Sequence, residues 1–183
     1  MSFKPWQPQV LHDRLVEMGP SEANLDYTKF GYLEFREAGR VRNVTVFTDL
    51  ASKLKETLGS DNGSFHLIHG QHMQTGDATS MLVAVGREDG PVYSMDLKER
   101  GFDETVRQTE RTRKNGTMIH YVGIAVTLLS IPLILAIIGG LLVPWGIHMW
   151  RNGKASSAMA QYQLELYAQM DAMVARIPGV RLV

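Results

Sequence analysis

Apolar and polar residues alternate over short stretches in the first half of the chain, and this pattern predicts β-strands. Tyr27–Phe35 and Val41–Thr48 are rich in aromatic and β-branched residues and flank a turn at residues 37–40, so they predict a hairpin. Asp49–Leu58 predicts a helix capped by Asp49 and ended by Gly59. Three more strands are predicted over Ser64–His69, Ser80–Gly86 and Pro91–Asp96, the last two joined by a tight turn.

Five strands with a helix after the second predict a small β-barrel domain, closed or nearly closed, over residues 27–97. Glycines at 70, 76, 86 and 90, with Asp77 before the apolar run Met81–Val85, resemble the turn chemistry of OB-type barrels. That resemblance implies an α+β chain with an OB-like module of a kind that binds nucleic acid, oligosaccharide or protein. Nucleic acid is not the expected partner, because this domain is slightly acidic even though several arginines crowd its first hairpin.

The segments on either side of this domain are predicted to be helical. Residues 1–26 form an N-terminal extension in which Pro8–Met18 predicts a short amphipathic helix, with Val10, Leu11, Leu15 and Met18 on its inner side. Residues 98–117 carry many charges of both signs and predict a connector helix with opposite charges at helical spacing.

The longest apolar segment follows, from Met118 to Trp150. No Asp, Glu, Lys or Arg occurs between Asn115 and Trp150, and a bilayer core needs only about 20 apolar helical residues. Aromatic and basic residues at the ends of such a segment are typical of a membrane interface. They are Tyr121, Trp145 and Trp150, and Arg113, Lys114, Arg151 and Lys154.

This segment predicts one transmembrane helix, kinked where Pro132, Gly139-Gly140 and Pro144 interrupt it. The alternative is a re-entrant hairpin that turns near Pro132 or Gly139-Gly140, keeps both ends on one side and has arms too short for two crossings. The N-terminus lacks the apolar core of a secretory signal, and basic residues are more numerous before the segment than after it. The expected location is therefore a bacterial inner membrane with the barrel in the cytoplasm.

The tail over residues 151–183 predicts an amphipathic helix that Pro178-Gly179 ends. Its polar face is not rich in lysine and arginine, which favours contact with protein over contact with lipid. The apolar residues that recur every three or four positions, and so share the predicted contact face, are Met159, Tyr162, Leu166, Met170, Met173 and Ile177.

Composition narrows the chemistry. The 183 residues contain 19 basic and 19 acidic side chains and no cysteine, so disulfides, thiolate metal sites and a cysteine nucleophile are excluded. No phosphate-binding loop, nucleophile elbow or helical metal motif occurs, so neither a cofactor nor an enzymatic activity is expected. His66, His69, His72 and Asp77 are the one candidate metal set, although His66 and His69 point to opposite faces of an extended strand.

These patterns favour a non-enzymatic, membrane-anchored interaction or scaffold protein. It would present the barrel domain at the bilayer and self-associate, or serve as an accessory subunit of a membrane complex. The alternative is a membrane-tethered sensor or enzyme that uses the His66, His69, His72 and Asp77 cluster for a ligand or metal.

Overall fold

The chain folds as an α+β protein built on one open sheet. The computed structural model describes residues 4–72, 75–88, 90–97, 101–133 and 138–183. Within these residues there are nine strands and three helices. The strands are β1 Gln7–Asp13, β2 Leu15–Met18, β3 Ser21–Ala23, β4 Tyr27–Phe35, β5 Gly39–Phe47, β6 Gly63–Gln71, β7 Ala78–Arg87, β8 Val92–Ser94 and β9 Arg181–Leu182. The helices are α1 Thr48–Glu56, α2 Phe102–Leu133 and α3 Ile138–Ala175.

The strand order corrects the predicted OB-like barrel. The main path runs β1-β6-β7-β5-β4-β2, with β3 on β4, β8 on β7, and β9 on β8. The path ends at β1 and β2, which follow one another in the chain and are separated by Arg14. In the described residues β1 bonds to β6 and β2 bonds to β4, but no ladder joins the two end strands. The prediction of a closed barrel was therefore wrong.

The predicted N-terminal helix over Pro8–Met18 was also wrong, because this stretch forms β1 and β2. Leu11 and Leu15 are buried as expected, whereas Val10, predicted on the same side, is exposed. A spacing of four residues suits a helix face as well as two strands on either side of a break. The strand form is selected by pairing: β1 lies antiparallel to β6 with Leu11 opposite Phe65. Hydrogen bonds to β6 along seven residues outweigh a weak local helical pattern.

Six of the predicted elements are confirmed. They are the hairpin strands β4 and β5, the helix α1, and the strands β6, β7 and β8. β4 and β5 pair antiparallel, and Gly39 at the turn has φ of 73°. The side-chain cap predicted for α1 was wrong, since Phe47 is its N-cap and Asp49 lies in the first turn. Leu50 and Leu54 of α1 are fully buried in the main core. The strands give that core Phe30, Leu33, Phe35, Val44, Val46, Phe65, Leu67, Leu82 and Val85.

Asp13 fastens the end of β1 to the turn between β4 and β5. This residue is only 5% exposed, and its carboxylate accepts backbone N–H bonds from Glu37 at 2.9 Å, Ala38 at 2.8 Å and Arg14 at 2.7 Å. Desolvation acts to raise the pKa of this carboxyl, but the backbone hydrogen bonds lower it below the ordinary 3.8. Asp13 is therefore held as a carboxylate where the open end of the sheet meets a hairpin.

The chain divides into two compact units, and the second interrupts the first in sequence. Of the described residues, those within 4–101 and 165–183 form the sheet unit, and those within 102–164 form the hairpin unit. The boundary after residue 164 falls within α3, so one helix begins in the hairpin unit and ends in the sheet unit. The chain returns to the sheet in β9, which runs parallel to β8.

The prediction of a single transmembrane helix was wrong. The segment Met118–Trp150 is divided between α2 and α3, and residues 134–137 lie outside the described residues. Of the helices described, none has the length and the apolar character needed to cross a bilayer. The predicted connector does not form a separate element either, because α2 continues from Phe102 through Lys114 into the apolar segment. Residues 98–100 of that predicted connector lie outside the described part of the chain.

Candidate functional site

Glycines form the seam along which α2 and α3 pack antiparallel. A Cβ atom built on Gly116 would lie 2.8 Å from the backbone nitrogen of Ser157, and one on Gly153 would lie 2.6 Å from the carbonyl oxygen of Gly116. Near the other end, a Cβ on Gly146 would lie 3.0 Å from the backbone nitrogen of Thr127. The two backbones are thus close enough that no side chain fits between them. Small residues permit this kind of approach between helices.

Polar bonds accompany this glycine seam. The hydroxyls of Thr117 and Ser157 lie 3.0 Å apart across it, and the His120 ring lies 3.2 Å from the carbonyl oxygen of Trp150. Thr127 donates to the carbonyl oxygen of Gly123 on its own helix. The inward surfaces of α2 and α3 are therefore small and partly polar. Large apolar side chains near the seam, such as Leu128 and Leu129, are instead exposed.

These outward-facing side chains remain exposed. The exposed fraction is 61% for Met118, 60% for Leu128 and 68% for Leu129. Ile119, Val122 and Ile147 are exposed as well. Burial normally removes such residues from water, and exposed apolar patches commonly mark a surface that binds protein or membrane. We call the set Met118, Ile119, Val122, Leu128, Leu129 and Ile147 the apolar flank.

Along the hairpin, basic, aromatic and apolar residues follow one another in order. At its base, Arg113 and Lys114 line a cleft of about 370 Å³ with Thr117, Ser157 and Gln161. At the next level the rings of His120 and Trp150 lie with their centroids 6.1 Å apart, and Tyr121 stands beside them. Beyond these rings come Leu128, Leu129 and Trp145. The predicted interface residues Tyr121, Trp145 and Trp150 are 65%, 54% and 40% exposed, and Arg113, Lys114, Arg151 and Lys154 are exposed too.

Sequence reasoning missed most of the seam. The roles of Gly116, Gly123 and Gly153 in helix packing were not predicted. A usable signal was present, because Gly116 and Gly123, and likewise Gly146 and Gly153, are about two helical turns apart on their helices. Two such pairs on either side of a chain reversal are the pattern expected of close antiparallel packing.

No family model, curated protein or solved structure matches this chain. Its function must therefore be argued from its own residues.

The predicted metal set is not assembled. His69 bonds through both ring nitrogens, to Ser80 at 2.8 Å and to Gln9 at 2.7 Å. His66 bonds to the hydroxyl of Ser64 at 3.0 Å. His72 and Asp77 meet only through a backbone hydrogen bond at the turn after β6. No three histidine or carboxylate side chains among the described residues are grouped as metal ligands. The geometry therefore gives this hypothesis no support.

The burial of two of these histidines predicts a loss of stability at mildly acidic pH. Desolvation lowers the pKa of His66 and of His69 below the ordinary 6.5, and the nearby charge of His12 lowers that of His66 further. The unfolded chain therefore takes up protons first as pH falls below 6.5, and the free energy of unfolding should decrease from there. Denaturant melts between pH 8 and pH 5 will measure this slope. The double variant His66→Gln, His69→Gln should flatten it, and a full slope in that variant would refute the assignment.

The predicted contact face of the tail lies largely inside the chain. Tyr162, Leu166, Met170, Met173 and Ile177 are all less than 9% exposed, while Met159 is half-buried. The latter part of this face belongs to the sheet unit, because residues 165–183 cluster with the strands. This face is thus occupied within one copy of the protein.

Proposed function

We propose that this protein is a non-enzymatic interaction protein that attaches to a lipid bilayer through the hairpin of α2 and α3. The observation that carries the proposal is the exposed apolar flank, on helices whose inward surfaces are lined by glycine. In an ordinary water-soluble hairpin the large apolar residues face the seam and the small or polar ones face solvent. The reverse arrangement suits an apolar surrounding medium, in which helices associate through small residues and close backbone packing.

The order of residues along the hairpin supports lipid as that medium. Basic side chains favour the headgroup region of anionic lipids, and tyrosine and tryptophan favour the boundary between headgroups and acyl chains. Arg113 and Lys114, then Tyr121 and Trp150, then Leu128 and Leu129 follow this order from the base of the hairpin. A protein partner would not require such a sequence of layers. The basic cleft beside Ser157 is a suitable place for one phosphate headgroup.

The length of the hairpin sets the depth of attachment. From Tyr121 to its end at Leu133, α2 is about 18 Å long at the rise of an α-helix. A single leaflet contributes about 15 Å of hydrocarbon, half of the roughly 30 Å core. The proposed attachment therefore reaches about one leaflet deep, and the chain enters and leaves on the same side. Attached in this way, the protein would meet further copies of itself or other membrane proteins at the bilayer.

Binding to vesicles will test the attachment. The full chain should float with liposomes of phosphatidylcholine and phosphatidylglycerol, and Leu128→Glu with Leu129→Glu should weaken partitioning at least about 100-fold, because each buried leucine contributes about 1.5–3 kcal/mol. Arg113→Gln with Lys114→Gln should weaken binding to anionic vesicles only, at about 1 kcal/mol per charge. The matched control is Leu25→Glu, which changes a leucine of the sheet unit that is 94% exposed.

Tryptophan fluorescence will measure how deeply the hairpin enters the bilayer. The chain has three tryptophans, and Trp6→Phe leaves Trp145 and Trp150 as reporters on the hairpin. Lipids brominated along the acyl chain should quench this fluorescence. Normal flotation of the Leu128, Leu129 double variant, or the absence of quenching, would overturn the proposal and leave a protein-binding surface in its place.

A further inference from the structure

The face of the sheet opposite the main core carries a row of side chains with a distinct chemistry. The register of β1 on β6 sets Pro8 opposite Ile68, Val10 opposite His66, and His12 opposite Ser64. Neighbours in an antiparallel pair lie on one face, and alternate residues of a strand return to it. These side chains therefore share a face, while Leu11 and Phe65 belong to the other face and to the main core.

The end of α3 and the residues that follow it cover this face incompletely and leave a cavity of about 460 Å³. All of its lining residues belong to the sheet unit. The apolar part of the wall includes Val10 on β1 and Met173 and Ile177 at the end of the tail. A volume of this size lies in the range of pockets that hold small molecules, about 300–1,000 Å³.

The ionisable side chains in the wall of the cavity are all basic residues. His12, His66 and Arg176 line the cavity, and no aspartate or glutamate does. Arg176 has no ion pair within the part of the chain that the structure describes. The Nδ1 atom of His66 is buried and has no hydrogen-bond partner among the described residues, while its other ring nitrogen lies 3.0 Å from the hydroxyl of Ser64. A buried polar atom without a partner is uncommon and points to a missing bond.

We propose that this cavity binds a small amphiphilic carboxylate, with its carboxylate toward Arg176 and the two histidines and its alkyl chain against Val10, Met173 and Ile177. The guanidinium presents paired N–H donors that match a planar carboxylate. The imidazole rings of His12 and His66 lie in the same wall as this guanidinium. The apolar wall contributes affinity in proportion to the alkyl surface it removes from water. The site is separate from the hairpin and does not depend on the attachment to lipid.

Titration with octanoate will test the site in the full chain labelled with ¹⁵N-histidine. The ring signals of His66 should shift and saturate with one octanoate bound per chain, whereas those of His69, whose nitrogens bond to Gln9 and Ser80, should move little. Octanamide keeps the shape and lacks the charge, and acetate keeps the charge and lacks the chain. Both should bind at least about tenfold more weakly than octanoate, because each lacks one of the two contributions.

Two variants separate the parts of the site. Arg176→Gln should weaken octanoate about tenfold by removing the charge-assisted bond. Ala172→Trp, at an exposed lining position on α3, should fill the cavity and abolish the His66 shift without disturbing the core. The matched controls are Arg181→Gln and Ala168→Trp, at exposed positions outside the lining.

Circular dichroism melts of every variant will establish that each is folded. Equal binding of octanamide and octanoate, unchanged affinity in Arg176→Gln, or no His66 shift at millimolar octanoate would each overturn the proposal. Flotation with vesicles is measured independently of octanoate binding. A negative octanoate titration would therefore not affect the proposed attachment to lipid, and a negative flotation result would not affect the proposed carboxylate site.

Discussion

Replacement of Asp13 by alanine is expected to lower the free energy of unfolding by about 1.5–3 kcal/mol, since hydrogen bonds to a charged group are worth about that much. The backbone N–H groups of Arg14, Glu37 and Ala38 would lose their acceptor at once. The turn between β4 and β5 would then be tied to the end of β1 only through the rest of the sheet. Equilibrium unfolding in urea at neutral pH measures the change.

The control for this variant is Asp61→Ala. Asp61 pairs with Arg14 at 3.5 Å, but its side chain is fully exposed, so its removal should have little effect. Asp13→Asn keeps the shape and some of the acceptor capacity and should fall between the two. If Asp13→Ala unfolds at the same urea concentration as Asp61→Ala, the three backbone hydrogen bonds to Asp13 make no net contribution to the free energy of unfolding. That result would contradict the stabilising role of Asp13.

Gly153→Ala is expected to separate α2 from α3, although alanine favours a helix over glycine by about 1 kcal/mol. The added Cβ would lie 2.6 Å from the carbonyl oxygen of Gly116 and closer still to the backbone nitrogen of His120. Atoms in good contact stand about 3.5–4.0 Å apart, so the helices must move by about 1 Å. Backbone cannot rotate away as a flexible side chain can, and such overpacking costs about 1–3 kcal/mol.

A disulfide across the seam measures this separation. Because the chain has no cysteine, Thr117→Cys with Ser157→Cys introduces a single possible bond where the two hydroxyls now lie 3.0 Å apart. Oxidation should form this disulfide readily. Adding Gly153→Ala should slow its formation about 5–150-fold, which is the factor that corresponds to an overpacking cost of about 1–3 kcal/mol. Ala125→Val adds bulk on an exposed side of α2 and should not slow closure. If the disulfide forms at the same rate in the presence of Gly153→Ala, the close packing of α2 and α3 along the glycine seam is contradicted.

The parts of the fold that sequence predicts well are those with strong local signals. The β4–β5 hairpin is fixed by β-branched residues and a turn at Gly39, and α1 by Leu50 and Leu54 one helical turn apart and Gly59 after the helix. β1 and β2 were missed because Leu11 and Leu15 fit a helix and two strands equally well, and only β6 and β4 decide between them. β9 was missed because two residues carry no periodicity, and its partner β8 is far away in the chain.

For the candidate site, sequence predicts the composition but not the geometry. The amino-acid sequence shows that the segment between Asn115 and Trp150 carries no charged residue. It also shows the aromatic and basic residues at the ends of this segment. Whether such a segment continues straight or reverses depends on what packs beside it, and the glycine seam becomes meaningful only once α2 and α3 lie side by side. The cavity beneath the end of α3 was not predictable, since His12, His66 and Arg176 come from three distant parts of the sequence.

The return of the chain to the sheet in β9 has a consequence for the order of events during synthesis. Tyr93 of β8 pairs with Arg181, and the backbone nitrogen of Val183 bonds to the carbonyl oxygen of Ser94. A ribosome has to make all of α2 and α3 before this strand exists. Domains usually fold as they emerge, at about 5–20 residues per second, and contacts between distant residues form late. For several seconds a nascent chain would therefore expose the apolar flank while its sheet still lacks β9, so early engagement of the hairpin by lipid or a chaperone would protect the chain from aggregation.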